Sequence, residues 1–189
     1  MSARTCASPR SACIRGTASP AADTPPALLA LGAVVEVLGS LGPRAVPVAE
    51  FFAGPGQHNL QPGEVITGVK VPAPAARSGS AYLKLGTRKA MDIAFVGVAA
   101  YLALEDDGTV AEARVGLGAV APTPRLAAGM TEVLSGRPLD DEAIELAART
   151  AMESASPITD RRCSAEYRRA MTGELTRRAL RLAAARAEA

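Results

Sequence analysis

A chain of 189 residues with a net charge of +2 is long enough for one large domain or two small ones, and it carries no charge excess that would dictate a strongly acidic or basic partner. Aromatic residues make up 3% and Trp is absent, which argues against a nucleic-acid surface built on base stacking. No apolar run reaches the roughly 18 residues needed to span a bilayer, and the scattered Cys6, Cys13 and Cys163 form neither a C-x-x-C pair nor a cluster with His58, so they read as free thiols of a reducing cytosol rather than metal ligands.

Residues 1–15 hold Arg, Ser, Ala and Pro but no acidic residue and no apolar core of a secretory signal, so the expectation is a disordered start. Asp23 or Thr24 then caps a short helix entered through Pro25 and Pro26, continuing over Ala27 to Leu31 and closed by Gly32. Val34 to Leu38 and Arg44 to Val48 read as a hairpin around Gly39–Gly42. A helical turn at Glu50–Gly56 runs into a loop carrying His58, a solvated histidine on this reading. Val65 to Val71 is a strand ended by Pro72.

After a Pro/Ala/Ser/Gly connector, Ser80 to Leu85 is a strand with Lys84 inside it. A lysine in an apolar strand calls for an anionic or electron-rich partner, because an unpaired buried charge is costly; the alternative is an edge-strand lysine that blunts aggregation. Arg88 and Asp92 in the following loop are placed to pair. Ala94 to Glu105 and Ala111 to Val120 form a long hairpin around Asp106-Asp107-Gly108-Thr109, apolar on both faces and therefore expected to be covered by helices. Gly116 and Gly118 alternate within the second strand, which suits close packing and not a dinucleotide fingerprint.

The remainder reads as helices: Arg125 to Leu134, a second capped by Asp140 or Asp141, and a third capped by Ser164 with Tyr167, Met171, Leu175, Ala179 and Leu182 along one side. The pattern predicts an α+β fold, an antiparallel sheet followed by a helical cluster. The many arginines of the third helix are interleaved with Glu166, Glu174 and Glu188, which reads as a solvated face; a docking face ranks next and a nucleic-acid face last.

Four stretches carry a resemblance: Gly16 to Leu29, Ser80 to Val96, Arg114 to Pro124, and Pro157 to Arg169, with the Phe51-Phe52 and Gly63-Glu64 pairs between them. In this order and spacing they resemble the FAD-binding medium subunit of molybdenum hydroxylases, the family of xanthine dehydrogenase and aerobic carbon monoxide dehydrogenase. The resemblance runs from about Thr17 to about Leu182. It implies that residues 16–76 are part of a second FAD-binding lobe, that 77–187 resemble a carbon monoxide dehydrogenase flavoprotein C-terminal domain (a small antiparallel sheet plus three helices), and that residues 1–15 are unrelated.

The resemblance further implies FAD as cofactor, with Thr17, Asp23, Ile66 and Lys84 at it. It implies an iron–sulfur subunit and a molybdenum-cofactor subunit as partners, with no nucleic acid and no membrane span, and a cytoplasmic setting. Electrons would pass from iron–sulfur clusters through FAD to an acceptor. The family's subunit has a further glycine-rich lobe before the segment matching Thr17, and its backbone N–H groups would help neutralise a pyrophosphate. The expectation is therefore a truncated subunit that binds FAD weakly or not at all by itself; a flavin-free interaction module is the alternative. No arrangement for nucleophilic or general acid–base catalysis is present.

Overall fold

The computed structural model describes residues 18–88 and 91–189. The expected disordered start, Cys6, Cys13 and the turn residue Thr17 lie outside the described residues.

The first described helix, α1 (Thr24–Ala30), carries its two prolines in the first turn, as the sequence predicts. A three-stranded antiparallel sheet follows, with β1 (Val34–Gly39) in the centre, β2 (Gly42–Pro47) on one side and β5 (Val65–Lys70) on the other. Alternation along β1 decides which face is covered: Val35 and Val37 are buried and Glu36 between them is exposed. The covered face packs with Val46, Val48, Phe51 and Phe52 into one core.

Between β2 and β5 lie a one-turn helix α2 (Val48–Phe51) and a small hairpin of β3 (Phe52–Gly54) and β4 (Gln57–His58). His58 is thus strand-borne and half-buried, not a solvated loop residue. Its ring stacks on Phe51 with centroids 6.0 Å apart, and its Nδ1 accepts from the Leu60 N–H at 3.4 Å. The chain is then tied back by Glu64, whose carboxylate accepts from Arg44 Nε and Nη2 at 2.7 Å each and from the Gln61 N–H at 2.6 Å. The Arg44 guanidinium first, and the Gln61 N–H second, hold the Glu64 carboxyl down at about 2.

The second sheet is four-stranded and antiparallel, in the order β6-β7-β8-β9, with β6 spanning Ser78–Leu85, β7 Val96–Leu104, β8 Val110–Gly118 and β9 Arg125–Leu126. Helices cover it on both sides, which is why β7 is buried along all but its last residue. On one face lie α3 (Met130–Leu134), α4 (Asp141–Ser154) and the long α5 (Ala165–Ala187), sharing a core with Val98, Leu102, Val115 and Leu117. On the other face α1 sits over Ala99, Tyr101 and Ala103. Gly116 makes that approach possible: a Cβ there would run into the Pro26 carbonyl oxygen. The fold is α+β, as the element pattern predicts, and Asp140 and Ser164 cap α4 and α5 through the Ala143 N–H at 2.8 Å and the Tyr167 N–H at 3.1 Å.

Two further expectations fail for identifiable reasons. Arg125 and Leu126 are not helical; they add a short strand to β8, with Leu126 opposite Gly116 and Arg125 opposite Leu117. Pro122 and Pro124 bias the chain just before them to extended backbone, β8 offers an unpaired edge, and Gly129 at φ +80° precedes the helix that does form. The buried stripe of α5 is also turned by about one residue from the expected one. Tyr167 and Leu182 are exposed, whereas Arg168, Thr172, Leu175, Thr176, Ala179, Leu180 and Ala183 face inward.

Polar residues can face inward on α5 because each finds a partner. The Thr172 hydroxyl donates to the Arg168 carbonyl at 2.8 Å and that of Thr176 to the Thr172 carbonyl at 2.7 Å. Arg168, only 4% exposed, donates from Nη1 to the carbonyls of Phe95 (2.9 Å) and Ala119 (3.0 Å) and pairs with Asp160 at 2.9 Å.

Replacing Arg168 with Met strips two part-buried carbonyls of charge-assisted donors, and is expected to cost roughly 2 kcal/mol in urea unfolding; a loss within error of zero would contradict the assignment. Glu64 gives a pH signature. Its folded carboxyl lies below its ordinary value of 4.5, so its contribution is complete above pH 4.5 and is lost as pH falls through about 2. Urea midpoints measured across that window should decline for the wild type and stay flatter for Glu64→Gln.

Candidate functional site

Pro25 and Pro26 fill the helix positions whose N–H groups an N-capping side chain would engage, so those two donors are missing for the Asp23 carboxylate. Asp23 is itself in the helical region (φ −74°, ψ −35°) and its side chain makes no cap bond. The cap expected of Asp23 is therefore absent. Its carboxylate reaches instead to β6, where Oδ2 accepts from Lys84 Nζ at 2.7 Å and Oδ1 accepts from the Tyr82 hydroxyl at 3.0 Å.

Tyr82 and Lys84 are two residues apart on one strand, so they share a face of the sheet. That face is the one α1 covers further along, which brings the start of α1 within reach of both. The Tyr82 ring lies over Gly97, where a Cβ would stand 2.9 Å from the hydroxyl. Burial first, and the Asp23 carboxylate second, push the Tyr82 phenol well above its ordinary range.

Lys84 lies on an edge strand, as one reading of the sequence has it, but it does not simply project into water. Besides Asp23 it donates to the backbone carbonyl of Asp92 at 2.8 Å, and its side chain is 26% exposed. An ammonium has three donors. Two are engaged, and among the described residues the third has no protein acceptor. The cation is thus partnered, pointed and still available.

After β6, Asp92 gathers Thr87 and Arg88, though not by the expected Arg88–Asp92 ion pair. The Asp92 carboxylate accepts from the Arg88 backbone N–H at 2.8 Å and the Thr87 hydroxyl at 3.0 Å, while the Arg88 guanidinium donates to the Met91 carbonyl at 2.7 Å. Those donors, the Arg88 N–H foremost, hold the Asp92 carboxyl below the usual carboxylate range. Met91, at φ +53°, and Ile93 are left exposed at the loop's surface. Ile66 belongs to the other sheet: it sits on β5 opposite Val37, half-buried against that sheet's core.

A hollow of about 120 Å³ opens beside Tyr82, lined in part by Ala27, Leu31, Ala99 and Arg186. It holds a few waters at most. A larger ligand would meet Lys84 on open surface.

Residues 81–183, more than half of the chain, match the CO dehydrogenase flavoprotein C-terminal domain. The chain belongs to that family. Residues 15–74 match in addition the FAD binding domain in molybdopterin dehydrogenase. The carbon monoxide dehydrogenase medium chain of Afipia carboxidovorans is 37% identical over 169 residues, which is 89% of this chain and 58% of that protein. The xanthine dehydrogenase FAD-binding subunit of Escherichia coli O157:H7 is 30% identical over 167 residues, 88% of this chain and 57% of that one. Among solved structures, carbon monoxide dehydrogenase from Hydrogenophaga pseudoflava aligns with a TM-score of 0.85 at 37% identity, over 89% of this chain and 58% of its own. Quinoline 2-oxidoreductase from Pseudomonas putida 86 aligns at 0.82 and 30%, over 91% and 59%. The chain spans a little under three fifths of the length of these relatives.

Asp23 and Lys84 therefore come from the two different matched segments and meet across their junction. Of the four residues singled out in the sequence, the structure joins these two; Ile66 lies on another sheet, and Thr17 falls outside the described residues. The sequence reading missed Tyr82, although its i, i+2 relation to Lys84 was there to be read. No helix among the described residues is long and apolar enough to cross a membrane.

An ion pair with side chains 26% and 47% exposed contributes little to folding. A double-mutant cycle of Asp23→Asn and Lys84→Met should return a coupling of about 0.2–1 kcal/mol in thermal or urea unfolding. A coupling of several kcal/mol would mean that the pair is a structural brace.

Proposed function

We propose that this chain is part of the FAD-binding subunit of a molybdenum-dependent hydroxylase or dehydrogenase, and that Lys84 is its cation at the flavin. The observation that carries the reading is the Lys84 ammonium, held by Asp23 and the Asp92 carbonyl, with one N–H that has no acceptor among the described residues. FAD, when bound, would supply the carrier that takes up and hands on electrons. A cation beside the N1/C2=O edge of its ring favours the reduced form. The donor set fits such an edge, because one free N–H on a partly open surface matches an electron-rich carbonyl.

The other residues have separate parts. Asp23 orients the ammonium. Its carboxylate moderates the local charge, so the pair meets a ligand as an oriented dipole and not as a bare cation. The Asp92 carbonyl ties Lys84 to the residue whose carboxylate accepts from the Arg88 N–H. Thr17 and the small-residue turn behind it would offer backbone N–H groups towards a pyrophosphate. Ile66 would pack against the surroundings of the ring. The partners in this reading are an iron–sulfur subunit and a molybdenum-cofactor subunit, within the cytoplasm.

The likeness to FAD-binding relatives covers 57–58% of their length. Weak binding by the isolated chain is accordingly the expectation, and a flavin-free module is the competing outcome. Titrating the purified chain with FAD should quench flavin fluorescence with a midpoint above the low micromolar range. Lys84→Met should weaken it about tenfold or more, the worth of one charge-assisted hydrogen bond. No saturable quenching, or quenching indifferent to Lys84, would favour the flavin-free module.

A further inference from the structure

Tyr82 has no part in holding the flavin as proposed, and yet its placement is the more tightly determined of the two side chains that meet at the Asp23 carboxylate. Its ring lies on the sheet over Gly97, the position opposite Lys84 in the β6–β7 register, and a side chain there would displace the ring. Ala99, opposite Tyr82 itself, is buried and small, and Ala27 of α1 and Leu31 just after it pack on the same patch. A ring held this way delivers its hydroxyl to one place, 3.0 Å from Asp23 Oδ1. Asp23 makes no cap bond to the helix, whose cap positions Pro25 and Pro26 have no N–H. Among the described residues, the carboxylate's other side-chain partner is the flexible lysine it is meant to orient.

We propose that Tyr82 is a positioning residue: its hydroxyl fixes the Asp23 carboxylate, and Asp23 in turn aims the remaining N–H of Lys84. The arrangement is a relay of two hydrogen bonds, phenol to Oδ1 and ammonium to Oδ2 of one carboxylate. The division of labour follows from stiffness. Tyr has two rotatable side-chain bonds and a packed ring; Lys has four and an exposed stem. The stiff member sets the geometry of the mobile one. What the aimed N–H meets rests on the flavin reading; the aiming itself does not.

Tyr82→Phe keeps the ring and removes only the donor. The first readout needs no cofactor. In the wild-type chain the Lys84 ammonium, identified by its loss in Lys84→Met, should give a slowly exchanging signal in nitrogen-edited NMR at low temperature. Tyr82→Phe should broaden or abolish it, and Asp23→Asn, which leaves the packed patch untouched, should do the same. An ultraviolet titration should show one tyrosine ionising later than the free amino acid, absent in Tyr82→Phe and brought forward in Asp23→Asn.

The second readout is FAD quenching. Tyr82→Phe should weaken it about threefold to tenfold, and combining it with Asp23→Asn should add nothing further, since both act through one carboxylate. An unchanged Lys84 signal in Tyr82→Phe, or additive effects of the two substitutions, overturns the proposal. If the Lys84 signal depends on Tyr82 but no variant binds FAD, the relay stands and the flavin reading falls.

Discussion

Two consecutive prolines in the first turn of α1 govern the candidate site. They make Asp23 useless as a helix cap while leaving it at a helix start, within reach of β6. A carboxylate so placed must find donors among side chains, and the face of β6 beneath it presents two, Tyr82 and Lys84. With a residue bearing an N–H at position 25 or 26, Asp23 would have had a competing partner close at hand. The contact joining the two family segments thus follows from a local rule about proline.

The contact is weak in itself, so its geometry has to be held by something stronger. The turn that carries Asp23 is pinned at two points: the Gly56 N–H donates to the Ala18 carbonyl at 3.2 Å and the Ala119 N–H donates to the Pro20 carbonyl at 2.7 Å. Ala18 and Ala119 are two of the three described non-glycine residues with positive φ, at +38° and +63°. Such backbone costs free energy and persists only where the surroundings over-determine it. At Ala119 the surroundings are clear: its N–H holds Pro20 and its carbonyl accepts from the buried Arg168. The same guanidinium holds Phe95, which donates its own N–H to Leu85 at the end of β6. One buried arginine therefore braces both sides of the site, the turn before α1 and the strand that carries Lys84.

Much of this was legible in the sequence, and the misses have a common cause. The β1–β2 and β7–β8 hairpins and the caps at Asp140 and Ser164 follow from local chemistry, and local chemistry decides them. Four ordered stretches sufficed to point to the flavoprotein family. Arg125 and Leu126, by contrast, were settled by the free edge of β8, and the stripe of α5 by acceptors more than forty residues away in sequence for Arg168. Asp92 was expected to meet a guanidinium, but nearby backbone donors are oriented already, so they win. Asp23 could have been placed from the sequence alone by asking which N–H groups Thr-Pro-Pro leaves for a cap. Its partner across the sheet could not, since nothing local says that α1 lies over β6 and β7.

The arginines of α5 make the same point about charge. Arg177 forms two bonds to Glu145, at 2.6 and 2.7 Å; Arg178 pairs with Glu174 and Arg181 with Asp141; Arg186 donates to the Ser80 carbonyl. A run that looks in the sequence like a cationic face is largely engaged within the fold. Arg186 also shields part of β6, an edge strand whose backbone would otherwise be open to pairing with another chain. Towards the other end of the same strand Lys84 is drawn onto Asp23 and Asp92. Cations therefore sit at both ends of this edge with different consequences. Arg186 closes a backbone acceptor of the strand, while Lys84 ties the strand's other end to Asp23 before α1 and to Asp92 of the following loop.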